Sequence, residues 1–139
     1  MYRYRVEVTR VVDGDTVDVD IDLGFGMTYK KQRVRMMGID TPESRTRDLE
    51  EKFYGKQSKY FLESLLEGKD VQLVSHDKGK FGRILGELFI DDIPLSVNQQ
   101  MIDGYHAVPY FGQNKDDTEL GHLMNKAALN EQGIIYSAE

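Results

Sequence analysis

Nine residues, Arg35 to Glu43 in the stretch V-R-M-M-G-I-D-T-P-E-S-R, set an arginine, an aspartate, a threonine, a proline and a glutamate around an apolar run. These residue types suit work on a phosphodiester. A planar guanidinium grips two phosphate oxygens and counters the charge that grows as phosphorus becomes five-coordinate. A carboxylate such as Glu43 can take a proton from an attacking water or order it. Pro42 cannot continue a central strand and pushes Thr41 toward extended geometry, so a strand must end near Ile39. Asp40 and Glu43 then lie at a strand rim, where irregular backbone exposes carbonyl oxygens.

A second motif, V-D-G-D-T-V from Val12 to Val17, has the turn dipeptide Asp13-Gly14 between two strand-like runs and puts Asp15 at the start of a strand. Hard cations such as Ca²⁺ take oxygens from carboxylates, backbone carbonyls and water. Asp15, Asp40 and a carbonyl of Thr41 supply part of such a shell and leave room for water and a substrate phosphate oxygen. Arg83, in the basic knot Lys78, Lys80 and Arg83, is a second candidate for the phosphate. Each residue alone has a plainer reading: a hairpin turn, a surface ion pair, a loop carboxylate, a solvated base. Together in this order they point to chemistry. The run D-V-D-I-D-L-G from Asp18 imitates an EF-hand, but Leu23 and Tyr29 stand where that loop needs Gly and Glu.

The elements that must position these residues follow from periodicity. Tyr4–Val12 is rich in Val and Tyr, and residues 16–22 alternate, with Val17, Val19 and Ile21 on one face and Asp18, Asp20 and Asp22 on the other. L-G-F-G turns the chain into a strand over about 28–37, and further strands are expected at 71–75 and 84–90. An apolar stripe of Tyr54, Phe61, Leu62 and Leu65 predicts a helix over about 54–67, with Gly68 beyond its end. A shorter helix follows Ser96, capped with Gln99 and ended by Gly104. A third is expected over about 118–132, with Leu120, Leu123, Met124 and Ala127 inward. Five short strands and interspersed helices make an α+β chain, mainly a small closed β-barrel with helices packed against it. No repeat or linker divides the 139 residues, so residues 1–139 are expected to form a single domain.

Composition narrows the classes. Cysteine is absent, which excludes a disulfide framework and a thiolate zinc site. No apolar run reaches the ~20 residues of a membrane helix, so no membrane partner is expected. M-Y-R-Y-R-V-E-V lacks the apolar core of a signal peptide; the sequence as written reads as cytoplasmic, the alternative being a secreted mature form numbered from Met1. Taken alone, the net charge of −6 argues against a general nucleic-acid binder, which usually shows a basic face. The distribution is uneven, however: residues 13–22 hold five acids and no base, whereas residues 30–47 hold six bases and two acids. Local field, not total charge, steers an anion to a pocket.

These motifs resemble the staphylococcal nuclease (thermonuclease) family, across most of the chain. D-G-D-T-V at 13–17 is similar to its first metal motif and R-x-x-x-x-D-T-P-E at 35–43 to its second; Phe53-Tyr54-Gly55 matches the segment entering the first helix, and K-F-G-R at 80–83 the second arginine motif. The resemblance implies an OB-fold five-stranded barrel with three packed α-helices. It implies Ca²⁺ held by Asp15, Asp40 and the Thr41 carbonyl; Arg35 and Arg83 as phosphate and transition-state contacts; and Glu43 as the carboxylate that activates or positions water. Lys80 and Tyr110 match positions contacting the terminal phosphate and sugar. The implied activity is hydrolysis of DNA and RNA at the 5′ P–O bond, leaving 3′-phosphates, with single strands preferred and the chain acting as a monomer. The alternative is a non-catalytic OB-fold module binding nucleic acid or protein, a class that has typically lost these carboxylates or arginines. Departures from the pattern are Phe81 in place of the usual tyrosine, and Gly112 where a second tyrosine would stand, which thins the stacking surface.

Overall fold

The computed structural model describes residues 2–78 and 82–138. Lys80 and Phe81, both singled out above, lie outside the described residues. In chain order the elements are β1 (Tyr2–Asp13), β2 (Thr16–Gly24), β3 (Met27–Met36), β4 (Ile39–Asp40), α1 (Leu49–Leu66), β5 (Val71–Lys78), β6 (Ile84–Ile90), α2 (Val97–Asp103), β7 (Val108–Pro109) and α3 (Lys115–Glu131). Five strands close a barrel in the order β1-β2-β3-β6-β5, and β4 pairs with β7 as a small separate sheet. The expected five-stranded OB-type barrel with three helices is the observed architecture.

Alternation in the strands explains the barrel interior. Val17 and Val19 are fully buried and Ile21 nearly so, with Val34, Met36, Leu73 and Leu88 completing the lining. Leu62 of α1 and Val97 and Met101 of α2 belong to the same buried cluster. The ladders are antiparallel except at the closure, where Val34, Arg35 and Met36 run parallel to Ile84, Leu85 and Gly86. The turn expected at L-G-F-G is present as a two-residue loop, with Gly24 paired to Met27. Phe25 and Gly26 both have positive φ (55° and 74°), the hand that matches the twist of paired strands.

The aspartates of β2 are satisfied locally, which accounts for the false calcium-loop pattern. Asp18 accepts two bonds from Arg33 opposite it (2.8 and 3.2 Å), and Asp20 and Asp22 accept from the backbone N–H groups of Lys31 and Gly24. The hydrogen bond from Arg33 holds the Asp18 carboxyl below the usual carboxylate range.

Three expectations need correction. α1 begins at Leu49, five residues before the apolar stripe, because Asp48 caps it by accepting from the N–H groups of Glu50 and Glu51. β3 ends at Met36: Gly38 takes φ 80°, and Ile39–Asp40 forms a new strand against β7, too short to show periodicity. The largest correction concerns α3, which starts at Lys115 under an Asn114 cap. Its supposed inward residues face solvent: Leu120, Leu123 and Met124 are 57%, 59% and 66% exposed, and Ala127 is exposed too. The helix instead turns Gly121, His122, Asn125 and Leu129 inward. It is tied to α1 by the Tyr54–Asn130 hydrogen bond (2.7 Å) and the Lys126–Glu50 ion pair (3.1 Å).

His106 follows α2, 6% exposed, its ring stacked on Phe61 at 4.5 Å between centroids and its Nδ1 buried with no partner among the described residues. Burial pushes its pKa down from 6.5 to about 4. Between these values the unfolded chain takes up a proton that the folded chain refuses, so stability falls as pH drops from about 6.5 toward 4 and levels below that. The linkage amounts to roughly 1–3 kcal/mol. Urea unfolding at pH 7.5 and 4.5 checks this. His106→Phe, which keeps a ring on Phe61, should lose measurably less stability on acidification than wild type; an identical loss would exclude His106 as the cause.

Candidate active site

The turn between β1 and β2 and the segment after β4 both rest on α1. Gly14 and Gly55 permit this. A Cβ on Gly14 would stand 2.7 Å from the Ser58 Cβ and 3.1 Å from the Thr41 Cγ2. A Cβ on Gly55 would collide with the Glu43 carbonyl and stand 2.6 Å from the Ser44 nitrogen. Gly55 and Ser58 lie three residues apart, on one face of the helix, and that face is where both motifs touch it. The Ser44 hydroxyl then donates to Asp13 Oδ1, tying the two motifs to each other.

Arg35 is delivered by register. It pairs with Thr16 across β2–β3, and the Met36 N–H donates to the Asp15 carbonyl (2.8 Å). Its guanidinium is pinned by bonds to the carbonyls of Met36 (2.8 Å) and Ile39 (2.9 Å). Held there, Nη2 lies 3.4 Å from Asp15 Oδ2 and 3.8 Å from Asp40 Oδ1. Asp15 is further fixed by the Thr16 hydroxyl on Oδ1 (2.9 Å) and the Thr41 N–H on Oδ2 (3.3 Å). Asp15, Arg35, Asp40 and Thr41, each singled out in the sequence, therefore meet at one rim.

The other candidates lie on segments that adjoin this group. Glu43 is exposed on irregular backbone beside Gly55. Arg83 is half-buried and directly precedes Ile84, whose partner across the parallel ladder is Val34, next to Arg35. Tyr110 is 43% exposed, and its N–H donates to the Gly38 carbonyl (2.8 Å), so it borders β4. A wide surface groove of about 1110 Å³ lies elsewhere. It runs between β1, the β2–β3 hairpin and the end of α1, mixes both signs of charge, and includes none of these residues.

The donor set suits a hard cation. Asp15, Asp40 and Thr41 bring only oxygens, and the Thr41 Oγ1 is buried with no partner among the described residues. Among those residues no three His, Cys, Asp or Glu side chains gather as a metal cluster. A cation held by these two carboxylates would complete its shell from carbonyl oxygens, water and substrate.

The match to known proteins is consistent with this geometry. The family model described as staphylococcal nuclease homologue matches residues 33–135. The chain belongs to the staphylococcal nuclease family. It is 33% identical to an uncharacterized endonuclease of Escherichia coli over 132 residues, covering 95% of this chain and 77% of that one. A probable staphylococcal-like nuclease of Oryza sativa subsp. japonica shares 36% identity over 78 residues, 56% of this chain and 19% of its own. The protein named ParB of Escherichia coli shares 28% identity over 138 residues, 94% of this chain and 71% of its own. Membership in the family supports nuclease function. No helix among the described residues is long and apolar enough to cross a membrane.

Two residues at the rim were not foreseen. Asn98 of α2 donates to the Met37 carbonyl (2.8 Å) and accepts from the Leu88 N–H (3.0 Å), bracing the turn whose carbonyls hold Arg35. His122 of α3 bonds Asp40 Oδ2 through Nε2 at 2.8 Å. The signal for Asn98 was a polar residue two positions past a cap, on a short helix that must bury one face. His122 was hidden among Leu120, Leu123 and Met124, whose apolar pattern pointed to another face.

The close approach at Gly55 gives a direct test. Gly55→Ala should cost about 1–3 kcal/mol of stability, as overpacking does. Any nucleolytic activity should fall more than tenfold, because the added methyl displaces the Glu43–Ser44 backbone. Urea midpoints and initial rates measured together check both; a variant of wild-type stability and rate would show that the contact yields without cost.

Proposed function

We propose that this protein is a Ca²⁺-dependent nuclease that hydrolyses DNA and RNA at the 5′ P–O bond and leaves 3′-phosphates. The observation that carries the reading is the convergence of Asp15, Arg35 and Asp40, with one guanidinium nitrogen 3.4 Å from the first carboxylate and 3.8 Å from the second. A fold has little use for two carboxylates gathered at a barrel mouth around a guanidinium that backbone carbonyls, not the acids, hold in place. A phosphodiester and a metal have.

In this reading Asp15, Asp40 and the Thr41 carbonyl hold the ion. When bound, Ca²⁺ supplies a positive charge that polarises the scissile phosphate. Two carboxylates place its dissociation constant at roughly 10⁻⁴–10⁻³ M, the range of weak oxygen-ligand sites. Arg35, its plane set by two backbone carbonyls, needs no reorganisation to receive phosphate oxygens, and Arg83, at the head of the neighbouring strand, is the second phosphate contact. Glu43, exposed next to the rim, accepts the proton of the attacking water as the 5′-oxygen departs and takes a proton from solvent. Lys80 and Tyr110 bind the terminal phosphate and sugar.

Hydrolysis of single-stranded DNA with Ca²⁺, with Mg²⁺ and with EDTA tests the proposal. Cleavage is expected with Ca²⁺ alone, with 3′-phosphate ends. Glu43→Gln should reduce kcat by about 10²–10⁴-fold, and Arg35→Lys by about 10²–10³-fold, because a lone ammonium cannot reproduce a two-pronged grip. A folded protein that fails to cleave with either Ca²⁺ or Mg²⁺ would instead be a binding module.

A further inference from the structure

His122 does something at the rim that the family reading does not require. Its Nε2 lies 2.8 Å from Asp40 Oδ2, and the two side chains are 17% and 33% exposed. An ionised carboxylate only accepts, so Nε2 carries the proton. Oδ2 is thereby occupied, while Oδ1 is the oxygen that faces Arg35, at 3.8 Å from Nη2.

The support behind His122 is stiff. Gly121 packs so closely on Val108 that an added Cβ would stand 3.0 Å from its Cγ1, and Val108 is the residue paired with Asp40 across β4–β7. Asn125, three residues along the helix, donates to the Ala107 carbonyl (2.9 Å). Thus the strand that pairs with Asp40 and the helix that carries His122 are locked together. To bring this face inward the helix leaves Leu120, Leu123 and Met124 in solvent, an orientation that burial alone would not select.

We propose that His122 is a positioning residue for Asp40: its N–H fixes one carboxylate oxygen so that the other is presented to the cation in a single orientation. The proposal rests on the reading of Asp40 as a ligand given above. Without the imidazole, the carboxylate is free to rotate, so that Oδ1 can turn away from the ion or draw closer to Arg35 than the 3.8 Å held here, and either competes with metal binding. Partners that orient ligands in this way typically change metal affinity by about 10–100-fold when removed.

The test is Tb³⁺ luminescence and its displacement by Ca²⁺ on the full chain, for wild type, His122→Ala, His122→Phe, His122→Gln and Asp40→Ala, with urea midpoints taken alongside. His122→Phe keeps a ring without a donor, and the His122→Gln amide restores an N–H within reach of Oδ2. Cation dissociation constants about 10–100-fold weaker in the Ala and Phe variants, largely restored in the Gln variant, are the expected result. If His122→Ala does not fold, the Phe and Gln pair decides. Wild-type affinity in the Phe variant would falsify the proposal, as would a folded Gln variant as weak as Phe. Wild type that binds no cation, matching Asp40→Ala, would overturn the metal reading itself and this proposal with it. Wild type that binds, with variants equal to it, would overturn only the role of His122.

Discussion

The arrangement at the barrel mouth depends on how closely α1 approaches two loops. At Gly55 and Ser58 the helix has almost no side chain, and the backbone of Glu43–Ser44 and the Gly14 turn occupy that space. Backbone packed on backbone has few soft degrees of freedom, because neither side can relax by changing a rotamer. α1 is itself anchored in the barrel by Leu62 and Leu66, so its rigidity passes directly to both carboxylate motifs. Asp15 and Asp40 are far apart in sequence, yet they are set relative to one another by a surface they both lean on. The Ser44–Asp13 bond then secures one loop to the other.

Arg35 completes this geometry from the opposite direction. Bonds to the carbonyls of Met36 and Ile39 hold its head in the bend between β3 and β4, and that bend is braced by Asn98 from α2. The cation is therefore fixed by the backbone beneath it, with the carboxylates at 3.4 and 3.8 Å, beyond the span of a close hydrogen-bonded pair. A guanidinium locked tightly onto either acid would be unavailable to anything else. The acids of β2, by contrast, are consumed locally by Arg33 and by N–H groups, so the five-acid run of residues 13–22 is less of a continuous negative surface than it looks in one dimension.

How much of this was visible in the sequence depended on the period of the signal. Strict alternation over residues 16–22 identified β2 and its buried face, because a strand with one side in a core has only one way to satisfy both sides. The cap at Ser96 and the stop at Gly104 bounded α2 well. Asp15, Arg35, Asp40 and Thr41 were legible because their motifs sit at strand ends, and local turn chemistry placed them there. The side of α3 was not. Its Leu, Leu, Met and Ala stripe would bury apolar area, but Gly121 and Asn125 fit against Val108 and Ala107 and His122 meets Asp40, so close packing and polar contacts outweigh a modest apolar stripe. The two-residue pair β4–β7 was equally hidden, since two residues carry no periodicity and the partner lies on the far side of α1 and α2 in the chain.

The parallel ladder between β3 and β6 has a consequence for motion. Among the described residues three pairs, Val34 with Ile84, Arg35 with Leu85 and Met36 with Gly86, zip the barrel shut, whereas the hairpin ladders on either side are longer. Opening a cylinder costs least along its shortest seam, and local openings follow the elements with the fewest paired groups. Here that seam carries Arg35 and ends beside Arg83. Parting it would leave both hairpins paired and separate Arg35 on one strand from Arg83 at the head of the other.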